Sequence, residues 1–338
     1  MLAIPEVDLT AFVDASAPDD ARAAAAAVLD KAAEQVGFFY LKLPGLSEAA
    51  DRLINSCCQF HSQPVDVKRA VANTLSPIRR GYNVTWQSGG GSCAAKVNVD
   101  PPDPKEVFML GSEGDASPMH GPNLWPDEGK LPGWKSCVQA DWDVMLAAAR
   151  TLAIALAEAL GEPPGTFDEA MREPPTVLIM VRYDPARLAE GSCTGCGAHT
   201  DCGFLTLLAQ QAGGAPLQVQ RGTLHAGSSG DVAARGVTET AWVDAPPRQG
   251  CILVNLGDML ARWTNGRYRS TVHRVMLDSS SQEPRHSVAF FANPTYTCLV
   301  GCLPTCCAPT VGMPEAQFEP LTAGKYISGR LGLMYEDD

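Results

Sequence analysis

Residues 198–208, AHTDCGFLTLL, constrain the chain more than any other stretch. Phe204, Leu205, Thr206, Leu207 and Leu208 have the apolar character of a buried strand, where side chains at i and i+2 leave from the same face. Read as one strand, the segment makes His199 and Asp201 converge. His273, in TNGRYRSTVHRV at 264–275, can supply a second imidazole. Two imidazoles and one carboxylate on one side of a cation leave its other side open, an arrangement that suits iron(II).

A His-x-Asp alone says little. With 6 histidines and 22 aspartates in 338 residues, the pattern arises by chance about 0.4 times, so its surroundings decide. Downstream, NLGDML at 255–260, the segment ending in HRV at 273–275, and RHSVAFFANP at 285–294 are short, apolar-rich runs separated by turn residues, as in an all-β core. In the last run Arg285 and Ser287 share one face and His286 takes the other. Phe290 and Phe291 likewise diverge, so that at most one of them, Phe291 by the parity of Arg285 and Ser287, can border the site.

These segments, taken with IPEVDLT at 4–10, GFFYLKLPGLS at 37–47, FHSQPVDVKRAV at 60–71, RGY at 80–82 and NLWP at 123–126, resemble the isopenicillin N synthase-like family of iron(II)/2-oxoglutarate-dependent dioxygenases nearly end to end. The resemblance implies a mainly β, mixed fold, with a double-stranded β-helix (jelly-roll) core, flanking α-helices and an N-terminal α/β extension. It partitions the chain into an N-terminal region (1–130), a long supporting helix and connection (131–174), the jelly-roll core (175–296) and a C-terminal segment packing near the active site (297–338).

The same resemblance implies a chemistry. Iron(II) on His199, Asp201 and His273 would be chelated by 2-oxoglutarate and open to O2, releasing succinate and CO2 while a small organic molecule is hydroxylated, desaturated or ring-closed. Ascorbate as a supporting reductant is an expectation of the resemblance alone. A buried distal carboxylate needs a forked cation, which Arg285 supplies with Ser287 beside it. Tyr183, in PTVLIMVRYDP at 175–185, stands where the family often places a tyrosine on the co-substrate, although Asp184 follows where proline is commoner. By the same resemblance Arg80, Tyr82, Trp86 and Lys96 are candidates for substrate contact. Two other readings stay open: a 2-oxoglutarate-independent oxidase of the same family, and a catalytically silent metal- or ligand-binding module.

Composition narrows the partners. A net charge of −12 and the lack of any long basic run argue against nucleic acid. No apolar run reaches membrane-spanning length and no secretory signal opens the chain, so a cytoplasmic protein is expected. Twelve cysteines then read as reduced thiols. A structural zinc joining Cys193 and Cys196 to Cys302, Cys306 and Cys307 is a weaker alternative, because the spacing lacks a second C-x-x-C. Nothing in the sequence fixes an oligomeric state.

Helices are signalled at three places. The run after Asp19 and Asp20, either of which could cap it, is rich in alanine and stops at Gly37. A second helix is predicted from about Ser47 to His61. The third, from about Pro132 to Leu160, carries Trp134, Val138, Trp142, Met145, Ala149, Leu152, Leu156 and Leu160 at three- and four-residue steps. Residues 85–104 and the polar insertion around 221–240, with His225, read as surface loops. His61, His120 and His286 lack ligand spacing, and Asp258 is expected to accept backbone hydrogen bonds within its Asn-Leu-Gly-Asp turn.

Overall fold

The computed structural model describes residues 3–84, 105–188, 193–220, 242–278, 280, 283–307 and 314–331. Trp86, Lys96, His225 and both surface loops of the sequence reading lie outside them. The strands are β1 (Glu6–Asp8), β2 (Phe38–Lys42), β3 (Gly81–Val84), β4 (Lys105–Gly111), β5 (Val177–Tyr183), β6 (Thr194–His199), β7 (Leu205–Gln210), β8 (Leu217–Gln220), β9 (Trp242–Ala245), β10 (Ile252–Leu256), β11 (His273–Met276), β12 (Arg285–Ala292), β13 (Leu299–Val300) and β14 (Leu321–Thr322). The helices are α1 (Asp19–Gln35), α2 (Leu46–His61), α3 (Val65–Arg69), α4 (Trp134–Ala159), α5 (Asp258–Trp263) and α6 (Ala323–Leu331).

Two sheets face each other as a jelly-roll. The larger has the order β1-β2-β10-β7-β12-β5-β4-β3 and the smaller β6-β11-β8-β9. Strands β1 to β4 come from the N-terminal stretch, so that region completes the sheet of the core instead of folding apart. Only β1 and β2 pair in parallel within these two sheets.

Period-two alternation explains the layers. Ile179, Val181 and Tyr183 of β5 face inward, toward Cys196, Leu217, Val219 and Val275 of the smaller sheet. Their neighbours Leu178 and Met180, with Val288 and Phe290 of β12, face outward into a second core built with α1, α2 and α4. There Trp142 of α4 meets the Phe290 ring edge-on at 5.1 Å. The inner layer is the vessel for chemistry, and the outer layer is the support.

Pro18, not Asp19 or Asp20, occupies the N-cap of α1, with no side-chain cap bond. The two aspartates stand instead in the first turn, where the helix dipole favours negative charge. Gly37 ends α1 at φ 70°, and a Cβ there would strike the carbonyl of Arg269, so glycine is required twice over. Among the described residues no helix is long and apolar enough to cross a membrane.

The cysteines are not all reduced: Cys302 and Cys307 form a disulfide across a tight loop, their Cα atoms 6.4 Å apart. That pairing removes two of the sulfurs on which a structural zinc would draw. Cys196 is buried on the inner wall.

A buried ionic cluster locks helices to the outer face. Glu106 Oε2 accepts from Lys68 Nζ at 2.6 Å and Tyr82 Oη at 2.8 Å, while Oε1 accepts from Arg182 at 3.0 Å. Burial opposes the charge on Glu106, but His61, Lys68 and Tyr82 hold its carboxyl far below the ordinary carboxylate range. Its stabilising contribution is therefore complete above that range and is lost as pH falls through the depressed folded value. Glu106→Gln leaves buried Lys68 without a counter-charge and should cost about 3 kcal/mol in urea unfolding at pH 7. The variant should also lose less stability than the parent on acidification from about pH 5 to pH 3.

Candidate metal and co-substrate site

The candidate metal ligands stand at strand ends. Strand β6 ends at His199, Thr200 breaks the ladder, and Asp201 stands in the turn that carries the chain to β7 in the other sheet. The reading of 198–208 as one strand is thus corrected, because the apolar run of 204–208 belongs to a separate element. Convergence is achieved by the turn. His273, first residue of β11, is the direct cross-strand partner of His199.

His199 Nε2 lies 3.7 Å and His273 Nε2 3.6 Å from Asp201 Oδ1, with the imidazole centroids 4.3 Å apart. Among the described residues this is the one group of three or more His, Cys, Asp or Glu side chains able to hold a metal ion. Bonds of roughly 2.1 Å can reach all three atoms after small adjustment.

Second partners fix each ring and carboxylate. His199 Nδ1 lies 2.8 Å from the Gly197 carbonyl and His273 Nδ1 3.1 Å from that of Thr271, so each Nδ1 donates and each Nε2 keeps its lone pair for a cation. Asp201 Oδ2 accepts from Thr206 Oγ1 at 2.6 Å and Asn255 Nδ2 at 2.7 Å, which turns Oδ1 toward the imidazoles. Burial opposes the Asp201 charge, but His273, His199 and these two donors hold its carboxyl below its ordinary value. Burial, with His199 alongside, pushes the His273 imidazole below its ordinary value.

Sequence reasoning missed Thr206 and Asn255. Their signal is a polar residue at an inward position of an apolar strand: Thr in LTLLAQ and Asn in ILVNL. They are also paired across the β7–β10 ladder. Gly257 is missed for a similar reason. Its added Cβ would collide with the Gly203 carbonyl, and only that close approach lets the amides of Gly257, Asp258 and Met259 donate to Phe204, Asp201 and Gly203.

Arg285 and Ser287 share the inner face of β12, as their spacing predicts. Arg285 is buried; its Nε donates to the Ala215 carbonyl at 2.7 Å, Nη2 to Gln210 Oε1 at 3.0 Å and Nη1 to Ser287 Oγ at 3.3 Å. The guanidinium lies 5.0 Å from the centroid of the Tyr183 ring. Among the described residues no carboxylate is within 4.0 Å of it, so a buried cation with donors to spare faces the barrel interior. A bound anion is what such a group lacks.

Phe291 also faces inward, opposite Thr206 in the β7–β12 register. Arg80 and Tyr82 do not join them. Arg80 is committed to Asn123 Oδ1 at 3.0 Å and the Met119 carbonyl at 2.6 Å, and Tyr82 points to the outer core and Glu106. Those partners hold both side chains within the fold. The inner wall instead carries Lys105, a buried lysine beside Tyr183 in register, whose Nζ donates to Cys196 Sγ at 3.6 Å.

Known proteins bear on this arrangement. Residues 175–294 match the 2OG-Fe(II) oxygenase superfamily, and residues 4–128 match the family described as non-haem dioxygenase in morphine synthesis N-terminal. The 2-oxoglutarate-dependent dioxygenase ecdK of Aspergillus rugulosus is 31% identical over 321 residues, 88% of this chain and 90% of that protein. The 2-oxoglutarate-dependent dioxygenase caaD of Aspergillus niger is 29% identical over 283 residues, 82% of this chain and 81% of that one. A full-length Neurospora crassa protein, crystallised in complex with alpha-KG and thymine, aligns with a TM-score of 0.78 at 27% identity, over 98% of this chain and 97% of that one.

Asn255→Ala or Thr206→Ala should weaken iron(II) binding about 10- to 100-fold by releasing the Asp201 carboxylate, whereas His199→Ala should abolish retention. Iron content after gel filtration and titration of the apoprotein check both outcomes.

Proposed function

The chain belongs to the iron(II)/2-oxoglutarate-dependent dioxygenases, and from that premise we propose that His199, Asp201 and His273 hold the iron while Arg285, Ser287 and Tyr183 hold the co-substrate. The protein is an oxidoreductase that oxidises a small organic substrate, with iron(II), 2-oxoglutarate and O2. Bound together, these supply oxidative decarboxylation to succinate and CO2 and the oxidation of a substrate bond.

The observation that carries the reading is that a facial metal triad lines the same barrel as a buried guanidinium with no carboxylate partner among the described residues. The residues fit both groups. Asp201 Oδ1 and the two Nε2 atoms face one point, with their remaining polar atoms already satisfied. Arg285 offers its spare donors and Ser287 its hydroxyl to the distal carboxylate, and Gln210 and Ala215 hold the guanidinium still. A pre-oriented fork loses little entropy when it captures its anion.

Each side chain then has a distinct task. Thr206 and Asn255 occupy Oδ2 of Asp201 and would leave Oδ1 for the metal. Tyr183 walls the guanidinium, limiting water at the carboxylate it would bind. Phe291, next to Thr206, forms an apolar border for the substrate, and Lys105 is its polar counterpart on the same wall. Which substrate bond reacts would follow from how that wall presents it. Thymine in the Neurospora crassa complex fits a small-molecule substrate here as well.

An anaerobic titration of iron(II), then 2-oxoglutarate, into the apoprotein tests this assignment. The parent should develop the visible charge-transfer band of the chelate. Arg285→Ala should bind iron(II) within about twofold of the parent and need roughly 100-fold more 2-oxoglutarate to reach the same band. A band at unchanged concentration in the variant would remove Arg285 from the co-substrate site.

A further inference from the structure

Asp258 is buried where three segments meet. Its amide donates to the Asp201 carbonyl at 2.8 Å. Its carboxylate, expected to serve backbone donors in its own turn, instead accepts side chains from afar: Ser270 Oγ at 2.6 Å, Tyr326 Oη at 3.1 Å and Thr200 Oγ1 at 3.4 Å. Arg330 Nη1 stands 3.2 Å from Oδ2, and Arg330 Nη2 donates to Thr200 Oγ1 at 3.3 Å.

The partners' places give the network its meaning. Thr200 is the residue between His199 and Asp201. Ser270 adjoins Thr271, whose carbonyl orients His273. Tyr326 and Arg330 are one turn apart on α6, so they meet a common acceptor. One carboxylate thus touches every segment that brings a triad residue, and the C-terminal helix as well.

We propose that Asp258 is a positioning residue that couples docking of α6 to the geometry of the metal triad, so that this helix clamps the metal loop. The inference rests on His199, Asp201 and His273 being the ligands. If α6 lifts, Asp258 loses Arg330 and Tyr326 and becomes a buried charge short of partners, which draws in water, and the Thr200 hydroxyl loses its Arg330 donor. The turn between His199 and Asp201 then loses its brace. Linkage makes the effect mutual: an ion that fixes the triad must hold α6 down by the same factor.

The test uses the full chain and cobalt(II) as the probe, because its visible absorption reports the ligand set without turnover. Cobalt(II) should bind about tenfold more weakly to Asp258→Asn and to the double variant Tyr326→Phe/Arg330→Ala. In the parent, cobalt(II) should slow hydrogen exchange at the amides of residues 323–331, and the double variant should lose that protection. Asp258→Asn could fail to fold, in which case the double variant on α6 decides alone. Cobalt(II) affinity within twofold of the parent in the double variant, with faster α6 exchange, would overturn the coupling; so would α6 exchange in the parent that ignores cobalt(II). His199→Ala is the control for the ligand assignment: tight cobalt(II) binding there would refute the assignment, whereas loss of binding leaves the clamp to stand or fall on the α6 variants.

Discussion

The carboxylate of Asp201 is the point on which the site depends. A carboxylate carried into a barrel interior is costly unless its oxygens are occupied, and here the occupation is unequal. Thr206 and Asn255 take one oxygen completely and leave the other to face two imidazoles. That asymmetry converts a charged side chain into a directed ligand. It needs β7 and β10 to be adjacent and in register, which requires the larger sheet, which in turn requires the helical layer that buries its outer face.

Arg285 obeys the same rule with opposite sign. Its guanidinium is held by a carbonyl, an amide oxygen and a hydroxyl, all neutral. On the outer side of the sheet the cations Lys68 and Arg182 are matched by Glu106. Lys68 and Arg182 are thus paired with a carboxylate within the chain, whereas Arg285 meets only neutral acceptors, which is what supports its proposed role in holding the co-substrate. The contrast between the two faces separates support from chemistry more sharply than burial alone, since both sets are buried.

Much of this was legible because the family's motifs are local and ordered. Two-residue spacing put Arg285 and Ser287 on one face of β12, while for His199, Asp201 and His273 the HTD and HRV segments named the residues without showing the turn that brings the first two together. The break at Thr200 could not be read, since an apolar run does not announce which sheet it joins. The partners of Arg80 and Tyr82, Asn123 and Glu106, were not legible because they are distant in sequence, and a charged or phenolic side chain near a loop looks the same whether it meets substrate or a buried acceptor. Asp258 shows the reverse error: a turn-forming residue by local chemistry, it spends its carboxylate on Thr200, Ser270 and Tyr326. Cys302 and Cys307 were counted with the thiols because composition cannot see that a tight turn brings together two cysteines five positions apart.

His199 and His273 face each other across β6 and β11 of the smaller sheet, while Asp201 opens the passage to β7 of the larger one. A cation shared by these three residues would therefore be a cross-link between sheets, closing the long excursion of chain between the two histidines. Like any tie that exists only in the folded state, it shifts the folding equilibrium in proportion to ligand saturation. The barrel would then have a firm end and a conditional end. Metal supply would govern how long the protein persists as well as how fast it turns over, and unfolding without metal would begin where substrate enters.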